Sequence, residues 1–416
     1  MTGRRVVITG CGAVCCLGRG VNRIWKRLIA GECGIGRITL FDASHYRTRI
    51  GGEVPGFDPG SFMSEKEARR TDRFIQLAVS AADEAVNNAG IPDLLKSGQL
   101  DPGRIGNLVS SGVGGLRAAS EASQLAEEDC PERFSPFLIP RMIANMASGY
   151  LSIRYGLSGP TFGIVSACTT GCQSVGEAYH VIRRDDADIM LAGGTEASIQ
   201  ELSIGGFNAL HALSTRNDDP RHASRPFDRD RDGFVASEGA GVLVLEELEH
   251  ARRRGANILC EIIGYGASCD GFHITSPDPD GRRFADAFRN AMRHAEITPE
   301  EIDYINAHGT STILNDRIET LGIKNALGEA AMHIPASSTK GAIGHALGSA
   351  GALESIFCVQ AIRSGVIPPT INYETPDPEC DLDIVPNQSR SCRVRTAANC
   401  NLGFGGHNAV VLFRNI

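Results

Sequence analysis

Apolar runs along this chain end repeatedly in glycine and small residues, and helical patterns follow them. "RRVVITG" (4–10) alternates out of a charged start into an apolar stretch and predicts a strand. "TFGIVSA" (161–167) predicts a buried strand. "TTGCQSVGEAYHVIRR" (169–184) predicts a helix, because Cys172, Val175, Ala178 and Val181 fall at helical spacing. "EKEARRTDRFIQLAVSAADEAVNNAG" (65–90) predicts one long helix with a basic start and an apolar stripe. "RPFDRDRDGFVASEGAGVLVLEELEHARRRG" (225–255) predicts a charged loop, a strand and a helix. "ITSPDPDG" and "ETPDPECDLD" are turn-rich and belong to surface loops. Short strands feeding tight turns and helices place the chain in the α/β class.

The pattern is written twice. "RRVVITGCGAV" (4–14) echoes "ILCEIIGYGAS" (258–268), and "AADEAVNNAGI" (81–91) echoes "FRNAMRHAEIT" (288–298). "RIGNLVSSGVGG" (104–115) pairs with "EIDYINAHGTST" (301–312). "SACTTGCQSVGEAYHVIRRDDADI" (166–189) pairs with "SSTKGAIGHALGSAGALESIFCVQAIRSG" (337–365). "ADIMLAGGTEA" (187–197) pairs with "RTAANCNLGFGGHNAVVLF" (395–413). The shared order predicts an internal duplication, with halves at 1–255 and 256–416. Two packed α/β halves bring corresponding turns to one face, around a shared cleft.

Bulk properties narrow the function. A chain of 416 residues, 42% hydrophobic, can bury a large core without disulfides. A net charge of −8 argues against nucleic acid as a partner. No apolar run reaches membrane-spanning length, and a strand near the N-terminus leaves little room for a signal peptide. The 13 cysteines are scattered, with no CxxC and no zinc-ligand spacing, so they read as reduced thiols in a cytoplasmic setting without a bound metal.

Cys168 stands where the predicted strand gives way to a helix. The positive end of a helix dipole favours thiolate, although a small apolar core residue fits the same position. His308 in "NAHGTST" follows an apolar strand and precedes glycine, exposed at a turn. It can meet a ligand there or serve as a structural histidine. "SSTKGAIGHALGSAGALE" places Lys340 at a turn and His345 near the start of a small-residue helix, where close helix packing is the competing use. "NLGFGGHNA" sets Phe404 among glycines that can turn backbone N–H groups into a cavity. One thiol and two histidines at glycine-rich strand ends suit acyl transfer through a thioester.

Together, "SACTTG", "NAHGTST", "STKGAIGH", "RPFDRDRDGF" and "NLGFGGHNA" make the chain resemble the β-ketoacyl-acyl-carrier-protein synthases, over nearly its whole length. The Cys-His-His set is similar to the elongating I/II type. The resemblance implies a thiolase-like five-layer αβαβα sandwich of two duplicated halves, which dimerises. It implies decarboxylative condensation of malonyl-carrier-protein with an acyl chain on Cys168, with His308 and His345 assisting decarboxylation. Lys340 would order the site through a salt bridge with Glu354. Phe404 would gate the acyl pocket and lend its N–H to the oxyanion hole. Thr310 and Thr312 would line the tunnel for the phosphopantetheine arm, which arrives on the carrier protein, so no cofactor is implied. Val113 would limit chain length near the dimer interface. Lys66, Arg69 and Arg70 would dock the acidic acyl carrier protein. Departures fall outside the catalytic set: Gly341 where many members carry serine, His211 and Glu132 at usually basic positions, and "FVASEGAG" for "FVMGEGAG". A ketosynthase of a polyketide or other secondary pathway would share every catalytic motif. A chain-length factor would lack the cysteine, and a degradative thiolase would carry a second active cysteine near its C-terminus.

Overall fold

A computed structural model describes residues 3–416. Val6–Cys15 (β1), Ile105–Ser110 (β2), Ile189–Glu196 (β3) and Gly239–Glu247 (β4) come from the first half of the chain. Cys260–Cys269 (β5), Tyr304–Asn306 (β6), Ala336–Ser337 (β7), Thr396–Gly403 (β8) and His407–Arg414 (β9) come from the second. Their order across the sheet is β7-β6-β8-β9-β5-β1-β4-β3-β2. Outward from the β1–β5 junction, β1-β4-β3-β2 is mirrored by β5-β9-β8-β6. The halves join through short antiparallel pairing of Val6–Ile8 with Cys260–Ile262.

The helices build the other layers. Arg73–Asn88 (α2) covers β1 and β4 from outside, and Arg282–Ala295 (α4) covers β5 and β9 in the same way. Thr170–Arg183 (α3) and Ala350–Ser364 (α5) pack on each other and on strands of both halves, forming the middle layer. Every residue from Ala350 to Ile362 is buried, which explains the near absence of charge there. This is a thiolase-like αβαβα sandwich. The echo between "GCG" and "GYG" has a packing cause. A Cβ on Gly12 would lie 1.9 Å from the Ala81 carbonyl oxygen, and one on Gly266 would lie 2.1 Å from that of Ala287. Each glycine lets an alanine-faced outer helix sit directly on its strand.

Two expected elements differ. "TFGIVSA" is not a buried strand. It makes one parallel bridge, Thr161 with Asn107, and leaves Phe162 and Val165 42% and 59% exposed. It lies beyond β2, where no further strand covers it, and the hydroxyls of Ser110 and Ser148 bond its backbone at Ile164 and Phe162. The run at 65–90 is two helices. Glu65–Arg70 (α1) starts with a reciprocal Ser64–Glu67 capping box. Thr71 then turns extended, its hydroxyl bonding back to the Glu67 carbonyl at 2.9 Å, and Asp72 precedes α2. The Asp72 carboxylate accepts from the Ala118 N–H instead of capping its own helix. Among the described residues no helix is long and apolar enough to cross a membrane.

Candidate active site

Cys168 sits in a tight 3-10 turn, Ala167–Thr169, that runs into α3. Ala167 takes φ +52°, a costly conformation for a residue with a Cβ, and the turn directs Cys168 toward a cavity of about 450 Å³. Cys168, His308, His345, Phe404, Thr310, Thr312 and Val113 all line that cavity. Residues up to 294 positions apart in "VSSGVGG" and "NLGFGG" (Gly112 and Gly406) thus share one chamber, as the repeated turns predict.

Burial changes the expected state of the thiol. Removal from water pushes Cys168 up to about 12, outweighing the Lys340 charge and hydrogen bonds from the N–H groups of Phe404 and Cys168. The resting side chain is therefore a thiol, not the thiolate that the helix terminus alone would favour. The same two N–H groups form a pair of donors at the sulfur, the arrangement an oxyanion hole requires.

His308 lies two residues past β6 and is buried, not exposed at its turn. Its N–H and that of Gly309 donate to the two oxygens of Glu319, at 2.6 and 2.7 Å. The His308 and His345 rings stand nearly perpendicular, with centroids 5.2 Å apart. Phe234 packs edge-on against His345. Burial first, and then Lys340, holds both imidazoles well below the usual histidine range, so both are neutral. Lys340 Nζ donates to His308 Nδ1 at 3.3 Å and forms a buried ion pair with Glu354. That bond leaves the His308 proton on Nε2. The other oxygen of Glu354 accepts from Asn401 Nδ2 at 2.6 Å. Glu354 does not line the cavity; it meets Lys340 beneath the site.

The remaining candidates separate by place. The hydroxyls of Thr310 and Thr312 bond each other at 2.9 Å. Phe404 is half-buried, followed by Gly405 and Gly406 at positive φ. Lys66, Arg69 and Arg70 are exposed on α1 and do not reach the cavity. Arg69 pairs with Glu65 at 3.2 Å, and Arg70 lies over the Phe137 ring at 4.6 Å. His211 lines the cavity and accepts a bond from Arg47 at 2.8 Å, so a guanidinium from a distant segment stands beside it.

Two buried carboxylates escaped the motif reading. Glu319 bonds the His308 turn, and burial pushes it up to about 8. Glu196 lines the cavity, and burial pushes it up to about 7. A glutamate closing an otherwise apolar, glycine-rich strand, "LAGGTE", was the available signal for the second.

Comparison with known proteins agrees with this geometry. Residues 3–251 match the family model "Beta-ketoacyl synthase, N-terminal domain", and residues 259–374 match "Beta-ketoacyl synthase, C-terminal domain". The chain is 49% identical over 411 residues to the 3-oxoacyl-[acyl-carrier-protein] synthase 2 of Synechocystis sp., covering 99% of this chain and 98% of that one. It is 47% identical to the enzyme of the same name from Coxiella burnetii, over all of both chains. A solved ketosynthase of a type II polyketide system, in complex with its acyl-carrier protein and bound to the hexaketide, superposes with a TM-score of 0.91 at 35% identity, over all of both chains. From its first strand to its last, the chain belongs to the beta-ketoacyl synthase family.

Proposed function

We propose that the chain is an elongating 3-oxoacyl-[acyl-carrier-protein] synthase that extends fatty acyl chains by two carbons. One observation carries this reading: a cysteine held under two backbone N–H donors shares a cavity with two neutral, mutually perpendicular histidines. Cys168 attacks the thioester carbonyl of an acyl carrier protein. A new C–S bond forms, the oxyanion rests on the N–H groups of Cys168 and Phe404, and the carrier thiol leaves with the proton. The malonyl carrier protein then enters past Thr310 and Thr312. Its carboxylate departs as carbon dioxide, and the electron pair passes to an enolate whose oxygen accepts from His308 Nε2–H and from His345. A neutral donor stabilises that oxygen without surrendering a full proton to it. The enolate carbon attacks the acyl carbonyl, a C–C bond forms, and Cys168 leaves as thiolate. Lys340 holds His308 in the donating tautomer, Phe404 gates the chamber, and Val113 bounds the chain.

The partner is an acyl carrier protein, docked through Lys66, Arg69 and Arg70; the polyketide ketosynthase bound to its own carrier supports this class of partner. A second copy of this chain covers the apolar edge formed by Ile153, Phe162 and Val165, which are 79%, 42% and 59% exposed. Thirteen unpaired cysteines suit the reducing cytoplasm. The halves 1–255 and 256–416 act as one catalytic unit, the first bringing the nucleophile and the second the histidines.

The deciding experiment offers purified protein a ladder of acyl-carrier-protein primers with malonyl-carrier-protein and weighs the products. Saturated primers should return 3-oxoacyl products two carbons longer. Failure to condense any fatty acyl primer would overturn the proposal, and repeated extension without reduction would assign the chain to polyketide synthesis.

A further inference from the structure

The duplication that builds the active site also builds a second, degenerate copy of it. Ala167 and Leu347 precede the first turns of α3 and α5, and both adopt positive φ, +52° and +45°. Gly348 therefore occupies in the second half the place of Cys168 in the first. By the same repeat, Ser111 in "VSSGVGG" stands where His308 stands in "INAHGTS". In the working copy, N–H donors point at a sulfur. In the degenerate copy, the Gly348 N–H points at a carboxylate oxygen of Glu196, at 3.0 Å.

Glu196 ends β3 and is 1% exposed. One oxygen accepts from both Gly348 and Gly112 N–H groups, each at 3.0 Å, and the other accepts from the Ser111 hydroxyl at 2.6 Å. That hydroxyl in turn accepts from the Gly114 N–H at 2.7 Å. Val113 lies between the two glycines held in this way. The two glycines beside the carboxylate, Gly112 and Gly348, leave no room for a side chain of their own. A Cβ on Gly112 would fall 2.9 Å from the Glu196 oxygen and 3.1 Å from the Ala167 carbonyl oxygen, and one on Gly348 would fall 2.4 Å from the Gly112 nitrogen. Two turns meet at this side chain, the Val113 wall and the turn that follows His345, and the Gly112 backbone of that wall lies directly against the Ala167 carbonyl of the turn before Cys168.

We infer that Glu196 is a positioning residue that fixes the Val113 wall against the nucleophile turn and so sets which acyl chain lengths react. The inference rests on the acyl-chamber reading proposed above. A carboxylate suits the task because it accepts from three donors at once. An amide of the same shape cannot: its nitrogen must face a backbone N–H or the Ser111 hydroxyl, whose two lone pairs already serve the N–H groups of Gly114 and Val113. The wall then shifts while Cys168 and its two donors stay in place.

The test uses the full-length protein, with Glu196→Gln and Ser111→Ala measured beside wild type. Ser111→Ala keeps the carboxylate and removes only the link to Gly114, so it carries the test if Glu196→Gln fails to fold. Each folded variant should still give a single acyl adduct on Cys168 with a short primer. Its kcat/KM should change by about tenfold or more for long primers relative to short ones. A loss equal at every length, or an unchanged length profile in the folded variants, would overturn the inference. If wild type itself forms no Cys168 adduct with any primer, the functional reading fails instead.

Discussion

Lys340 Nζ reaches His308 Nδ1 at 3.3 Å while paired with Glu354, so one buried ammonium orders both the His308 ring and its own counter-ion. Removing it frees His308 to adopt the tautomer with its proton on Nδ1, which cannot donate into the cavity from Nε2. It also leaves Glu354 buried without its cation. Lys340→Ala should lower malonyl decarboxylation by about 10²- to 10³-fold, the usual loss for one oxyanion donor. Lys340→Arg should recover part of it if it still bonds Nδ1. Decarboxylation by Lys340→Ala at the wild-type rate, followed by carbon dioxide release, would refute the orientation role.

The Cys168 thiol, raised to about 12 by burial, makes a prediction of its own. Alkylation by iodoacetamide requires thiolate, whose fraction grows about tenfold per pH unit well below the pKa. The alkylation rate at Cys168, read by intact mass, should climb steadily from pH 7 to 10 without levelling. A plateau near pH 8 would mean that the helix terminus and Lys340 overcome burial. Cys168→Ala should abolish the adduct.

Much of this architecture was legible in the sequence because duplication repeats its signals. "GCG" and "GYG" mark two strands under two outer helices, and each of the five cavity turns, at Val113, Cys168, His308, His345 and Phe404, has a glycine within three residues of the named side chain. What could not be read has physical causes. "TFGIVSA" is apolar because its face lies at the uncovered edge of the sheet, and hydropathy alone does not separate such an edge from a core. The break at Thr71–Asp72 depends on a contact to Ala118, 46 residues away, which no local pattern contains. Glu196 and Glu319 belong to no catalytic motif, because each acts on backbone N–H groups, and those leave no mark in side-chain identity. The state of Cys168 has a related cause: burial by the surrounding halves outweighs the local dipole.

His308 and His345 are buried neutral, which gives acid lability a definite sign. Their folded pKa values are depressed, so their contribution to stability is complete above the unfolded value of about 6.5 and is lost as pH falls below it. The melting temperature of wild type should therefore drop more steeply from pH 6.5 to 5 than that of His345→Gln, which does not titrate. Decarboxylation at pH 6 should persist near its pH 7 rate, because the rings remain unprotonated in the folded chain. Parallel melting curves for the two proteins would contradict the assignment of a depressed pKa to His345.

The basic face of α1 separates two kinds of cation. Arg70 lies over the Phe137 ring and contributes to packing, whereas Arg69 is 72% exposed and held only by Glu65. Reversal at Arg69 should weaken use of carrier-bound substrate by several-fold at low salt, converge with wild type at high salt, and leave small thioester mimics unaffected. Reversal at Arg70 should lower the melting temperature as well. Equal loss by Arg69→Glu with carrier-bound and small substrates would remove it from the docking surface.

The uncovered edge beyond β2 ties assembly to the chamber. Ile153, Phe162 and Val165 are exposed on the segments that the Ser152 and Thr161 hydroxyls, 3.2 Å apart, tie together, and exposed apolar residues beside one another mark a surface for association. Val113, at the chamber wall, is itself 42% exposed. A second copy seated on this edge would bury all four and close the chamber at its far end. Val165→Asp places a charge where the partner would desolvate it, at a cost of several kcal/mol for each copy. Light scattering should report a dimer for wild type and a shift toward monomer for Val165→Asp. The variant should also lose activity toward long primers more than toward short ones, because an open wall no longer shields the end of the chain from water. A monomeric wild-type protein, or a monomeric variant with an unchanged length profile, would break the link between assembly and chain selection.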